Sequence, residues 1–477
     1  MAGVRLERTD SVLGTCSIQC TGRGDLVVLD GSGKDIFTAN PDAENQRGMQ
    51  PIFATYGVTR GNLLVVSYGK QMVAYNTLAT PDGLSPPVLW RATVGSNLEM
   101  NAEYGPSPEN STLRRAGSYR APRWLEDGKW IGIIGPVTSR GIVFQDQRRL
   151  VCVDPISGEA RWSRTDVPQG CDLFGDDEYV FAVPTDSTQA RIYSMIDGRQ
   201  VGTTKVPVWR EQLVTRGREI ISWRAGEDRR WELASMDAKT GHVGWRRDFA
   251  ATPAVDIEQG RYVSVVEPRG RIQIIDAADG QVLVDYPAPN KPTIEELHLL
   301  VSRDNFTLIV KHPKPGNVRQ RVAMYNTPDS IQVDGEVYVF DRTTGKMRWN
   351  RPADVVQQSL LLSQPADLPF VLFAGVFQQQ DAGGSQPRTS LLMLDKASGR
   401  TLFSQDDLPQ AGGGQCLART DAASHQATVE MAGRTILLQF TDQRRPPEPP
   451  AMSEVESAGS KTNGGLMGIL RGALGGS

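Results

Sequence analysis

Short apolar runs broken by turn residues recur through most of the chain. Few stretches carry apolar residues at helical spacing. Glu219-Ile220-Ile221-Ser222-Trp223, Arg261-Tyr262-Val263-Ser264-Val265-Val266 and Thr307-Leu308-Ile309-Val310 are representative. Runs this short, bounded by Gly, Pro, Asn, Asp and Ser, predict strands rather than helices. An all-β chain is expected, with no helix of any length before the C-terminal tail.

The strands are organised by a repeat. Leu150-Val151-Cys152-Val153-Asp154 leads through Ser157-Gly158 to Trp162. Leu233-Ala234-Ser235-Met236-Asp237 leads through Thr240-Gly241 to Trp245, and Val337-Tyr338-Val339-Phe340-Asp341 through Thr344-Gly345 to Trp349. Each reads as strand, Asp, a short turn ending in Ser/Thr-Gly, then Trp four residues after the Gly. Asp accepts hydrogen bonds from turn backbone, and Gly supplies a positive φ. The aromatic is then fixed where it can pack flat on a neighbouring unit. Asp154, Gly158, Trp162, Asp237, Gly241, Trp245, Asp341, Gly345 and Trp349 are therefore expected to form a structural docking motif. Weaker copies fill the gaps. The stretch 272–276 with Gly280 and Val284 lacks the Trp, and 391–395 with Ser398-Gly399 and Phe403 replaces it. The copy at 192–197 with Gly198 reads as a truncated turn. Residues 72–76 reach Trp90 through a Pro-rich turn, and 26–30 with Gly33 and Phe37 is a degenerate copy.

The signature Asp residues are spaced 43, 40 and 39 apart from Asp154 through Asp197 and Asp237 to Asp276, then 65 and 54 to Asp341 and Asp395. A period of about 40 holds four short strands, the content of one propeller blade. Seven blades can be counted between residues 52 and 408. Residues 412–442 offer three more strands. If the N-terminal segment 26–39 supplies the fourth by exchange between the termini, the count is eight; otherwise it is seven. Closure matters because an open blade exposes unpaired backbone.

These hairpins resemble the PQQ-type propeller repeat, with the tryptophan-docking motif of quinoprotein dehydrogenases and of BamB, the outer-membrane β-barrel assembly lipoprotein. The resemblance spans about residues 26–442. It implies an eight-bladed propeller, residence in the periplasm or cell envelope, and a scaffolding role. It does not imply the cofactor. Quinoprotein dehydrogenases carry an adjacent Cys-Cys disulfide over the quinone, and this chain has no Cys-Cys pair. Their calcium ligands and catalytic Asp match no motif here, and the haem signature CxxCH is missing. The expectation is a non-catalytic scaffold for a protein or peptide, with no cofactor; a quinone-dependent dehydrogenase is the alternative.

Composition narrows this further. The 477 residues carry a net charge of −3, which offers no concentrated basic surface for nucleic acid. No run of 18 apolar residues suggests a membrane-spanning helix. The five Cys are widely spaced, and Cys16 and Cys20 are not a CxxC pair, so buried free thiols are expected. The four His form no HxH or HExxH, and no GxSxG is present. Gly31-Ser32-Gly33-Lys34 lacks the first Gly of a phosphate loop and reads as a hairpin turn. The first ten residues contain no apolar signal-peptide region. The chain is thus expected to be cytoplasmic or the C-terminal part of a longer exported protein.

Residues 1–442 are expected to form the propeller, interrupted by an insertion at 96–127. That insertion mixes Arg and aromatic residues, including Tyr104, Arg114, Arg115, Tyr119 and Trp124. This composition suits a partner-binding loop; a solvated loop over a blade edge is the plainer reading. Residues 443–477 open with a Pro-rich linker and read as a disordered tail with a small apolar island near Leu470.

Overall fold

A computed structural model describes the strand backbones between residues 3 and 39, and most of residues 55–93, 134–313 and 330–440. The chain divides into two compact units, 1–301 with 327–329, and 302–326 with 330–477.

The first unit is built from four-stranded meanders, in which consecutive strands pair antiparallel. Ile134–Val137, Ile142–Asp146, Arg149–Val153 and Ala160–Arg164 form one such blade. Residues 172–205, 212–249 and 254–287 repeat it. Thr55–Gly61, Leu63–Tyr68, Gln71–Asn76 and Val88–Thr93 form another, extended by Leu6–Ser11, which pairs parallel to Thr55–Gly61. Gly3–Val4, Ser17–Cys20, Leu26–Leu29 and Asp35–Ala39 make a further sheet. Six blades are found among the described residues, and the fold is an all-β propeller of four-stranded antiparallel blades.

The middle strands of a blade are covered on both faces, which explains their unbroken apolar runs. Ile142, Val143, Leu150 and Cys152 are fully buried, whereas Gln200–Lys205, last in its blade, is exposed or half-buried throughout. Neighbouring blades share cores. Val143, Leu150 and Trp162 pack with Leu173, Val180 and Tyr193. Phe181, Ile192 and Val206 pack with Ile220 and Ala238, and Ile221 and Trp223 with Ile257, Val263 and Ile275.

A bulge recurs in the last strand, and the sequence pattern did not reveal it. Cys152 pairs with Trp162 but Val153 with Ala160, leaving Arg161 as the extra residue. The same two-against-one step occurs at Val201, Gly244, Leu283, Leu89 and Leu402. A bulge increases local twist and re-aims the side chain beside it. Here the residue beside it is the fourth after the turn Gly, except at Leu89, where it is Trp90.

Two expectations change. The segment 26–39 pairs within its own N-terminal sheet through Ser17–Cys20, rather than completing a C-terminal blade. The turn at 194–198 is not truncated either. Ser194 stands at the Asp position and Asp197 one residue before Gly198, so the spacings become 40 and 43.

In the second unit, Asn305–Lys311, Ser330–Asp341, Ala353–Leu361, Phe370–Asp381, Gly384–Asp395 and Thr401–Pro409 follow one another in a single sheet. One residue pair, Leu360 with Phe373, joins its two halves. The stretch carrying Trp349 is no regular strand: it holds on through a Phe340–Met347 bridge and the Arg348 amide to the Val339 carbonyl. Cys416–Asp421, Gln426–Met431 and Arg434–Gln439 form a three-stranded sheet.

Candidate functional site: the repeated turn and its tryptophan

Six turns share one hydrogen-bond scheme. The Asp154 amide donates to the Glu159 carbonyl, and the Gly158 amide donates back to the Asp154 carbonyl. Ser194 with Gly198, Asp237 with Gly241, Asp276 with Gly280, Asp341 with Gly345 and Asp395 with Gly399 repeat this pair. All six glycines have φ between 67° and 76°, the left-handed region that disfavours a Cβ.

The carboxylates close these turns. Asp154 Oδ1 accepts from the Ile156 and Ser157 amides at 2.9 Å, and its Oδ2 from Arg161 at 2.5 Å. Asp341 does the same with Thr343, Thr344 and Arg348. Asp237 accepts from Lys239 and Thr240 and pairs with Arg218 at 3.0 Å. The Ser157 amide, the Arg161 guanidinium and the Ile156 amide hold the Asp154 carboxyl down to about 2. The Arg348 guanidinium and Thr344 do so for Asp341, also to about 2. At Asp197 the Ser194 hydroxyl and the Arg199 amide lower the carboxyl, so acid and hydroxyl have exchanged places in that turn.

Each tryptophan leaves its own repeat and lies on the turn of the next. Trp162 Nε1 donates to the Met195 carbonyl at 2.8 Å, Trp245 to Ala277 at 3.2 Å and Trp349 to Lys396 at 3.0 Å. Trp90 donates to Pro155 at 2.9 Å. The acceptor is always the residue after the Asp position. Its own amide, where it has one, is fixed by the preceding hairpin: Met195 to the Glu178 carbonyl, Ala277 to Arg261 and Lys396 to Pro369. The ring then covers the turn glycine. A Cβ on Gly158 would fall 2.5 Å from Trp90 Cγ, and one on Gly198 2.5 Å from Trp162 Cε3. Gly is required at these positions both by its φ and by the ring above it. The carbonyl acceptor was not named from sequence, because any residue type can provide it.

Residues 84–318 match the family described as outer membrane protein assembly factor BamB. Over these residues the chain is similar to BamB-like, PQQ-type β-propeller repeats. They include the whole of the blades at 134–164, 172–205, 212–249 and 254–287. Among solved structures, BamB from Moraxella catarrhalis is 14% identical, covering 66% of this chain and 84% of that one at a TM-score of 0.29. The computationally designed Ika8 protein is 12% identical, covering 83% and 97% at 0.39. The WD40 domain of SCAP from fission yeast is 9% identical, covering 90% and 93% at 0.38. No curated protein matches the chain.

Among the described residues, no three His, Cys, Asp or Glu side chains are grouped to hold a metal ion. Cys152 and Cys171 are buried free thiols, each pushed up to about 12 by burial. No helix among the described residues is long and apolar enough to cross a membrane. Tyr104, Arg114, Arg115, Tyr119 and Trp124, and the tail 443–477, lie outside the described residues.

Proposed function

We propose that this protein is a non-catalytic propeller scaffold that binds a protein or peptide in the cell envelope, in the manner of outer-membrane protein assembly. The BamB-like match over residues 84–318 carries this reading. The engagement of the repeat carboxylates in turn caps and arginine pairs supports it, since these acids serve the fold. The reading takes residues 1–442 as one propeller domain of eight blades and 443–477 as a linker and tail. It assigns the insertion 96–127, with Tyr104, Arg114, Arg115, Tyr119 and Trp124, to partner capture.

Affinity capture from envelope extracts tests it, comparing the whole chain with a variant lacking 96–127. Loss of specific partners in the deletion is expected; an unchanged partner set removes the loop from the site. Addition of PQQ with calcium should leave the melting temperature unmoved. A saturable rise would replace the scaffold by a quinoprotein dehydrogenase.

A further inference from the structure

We propose that the turn at Gly241 is a vacant docking slot for a tryptophan carried by a segment of a partner protein. Of the turn glycines Gly158, Gly198, Gly241, Gly280 and Gly399, four lie under an indole, from Trp90, Trp162, Trp245 and Trp349. Gly241 does not. The ring that should cover it belongs to the preceding blade, at the residue following the bulge. There Gly202 pairs with Ile192 as Trp162 pairs with Cys152.

The space is open on both sides. A Cβ added to Gly241 or to Gly202 meets nothing within 4 Å. Gly241 is exposed, whereas Gly198, Gly280 and Gly399 are buried and Gly158 is half-buried. The two blades are nevertheless packed together, with Ala238 in the core formed by Phe181, Ile192 and Val206. Lys239 Nζ also sits 3.7 Å from the centre of the Tyr179 ring.

The floor of the slot is complete. Asp237 caps the turn, Gly241 holds φ at +70°, and the Ala238 amide is fixed to the Arg218 carbonyl. The Ala238 carbonyl thus occupies the turn position at which Pro155, Met195, Ala277 and Lys396 each accept an indole N–H; Ala238 is fully buried in the free chain, so an incoming ring has to displace what covers it. Close to the two glycines in sequence, Val201 and Val243 are 44% and 37% exposed. Four filled copies of one geometry define the chemistry of the missing occupant: a flat aromatic with an N–H at its edge. Gln200–Lys205 is the outermost strand of its sheet, so an extended segment can lie along it while presenting such a ring.

This proposal rests on the scaffold reading and adds a site to it. The probe is acetyl-Gly-Ser-Trp-Ser-Gly-amide, with its alanine counterpart, titrated into the whole chain and followed by backbone amide shifts. Saturable shifts at Gly202, Thr240 and Gly241, absent with the alanine peptide, are expected, with a Kd of about 1 mM for one anchored side chain. Gly202→Trp should supply the ring from within, abolish those shifts and raise the melting temperature. No shifts in the wild-type chain, or shifts mapping elsewhere, overturn the slot. So does peptide binding that persists in a folded Gly202→Trp protein. Should that variant fail to fold, the wild-type titration against the alanine peptide decides alone. Captured partners that bind Gly202→Trp as well as wild type would sink the slot and leave the scaffold reading standing.

Discussion

At the scale of single residues, two glycines in nearly identical backbone conformations have different neighbours. Gly198 has φ of 67° and Gly241 of 70°. Alanine at either position meets the left-handed penalty of roughly 1–2 kcal/mol. At Gly198 the new methyl must also displace Trp162, adding roughly 1–3 kcal/mol of overpacking. Denaturant unfolding should therefore rank Gly198→Ala below Gly241→Ala; equal losses would mean that the ring does not press on the turn. Lys396 makes a different case. Its ammonium is buried, donates to the Ala366 carbonyl at 3.0 Å and is pushed by burial down to about 8. An unfolded lysine keeps its proton to about 10.4, so the folded chain binds fewer protons between these values. Stability from this group therefore rises as pH goes from about 8 to about 10, by up to about 3 kcal/mol. Lys396→Met should flatten that rise in melting temperature, and an unaltered slope would show that the group does not titrate there.

At the scale of the element, the turn was legible and its consequences were not. Asp, Gly and Trp are distinctive residue types at fixed offsets, so Asp154, Gly158 and Trp162 could be picked out from the chain alone. The bulge at Arg161 could not, because a bulge is a matter of register and its residue varies from Arg to Val, Gly and Leu. The turn at 194–198 was misread for a related reason: the acid had moved to Asp197, while the backbone scheme stayed on Ser194. The caps also give the turns an acid limit. Asp341 sits at about 2 in the fold against about 3.9 unfolded, so its contribution is complete above about pH 5 and is lost as pH falls toward 2. The stability difference between wild type and Asp341→Asn should hold steady above pH 5 and shrink below it. A difference independent of pH would separate the turn from its carboxylate.

At the scale of the whole molecule, the repeat period made the blade architecture readable, since each blade must bury its middle strands against a neighbour. Less regular parts escaped that logic: the parallel addition of Leu6–Ser11, and the continuous sheet from Asn305 to Pro409, where neighbouring blades were expected to separate. Cys152 and Cys171 report on the shared cores. Both are buried among Val143, Leu150, Val180 and Tyr193, and burial keeps both as thiols. A thiol reagent should reach them only when these blades open, at a rate that follows global stability under denaturant. Fast labelling of either in the native chain would mean that the blades part locally. The tryptophan contacts also have a direction. Trp90 reaches forward to Pro155, Trp162 to Met195, Trp245 to Ala277 and Trp349 to Lys396. A ribosome makes the ring first and its landing place 32 to 65 residues later. A blade that ends in such an indole therefore waits with it uncovered for its successor, so synthesis itself imposes a zipper running from N- to C-terminus, interrupted where Gly202 and Val284 stand in place of the ring.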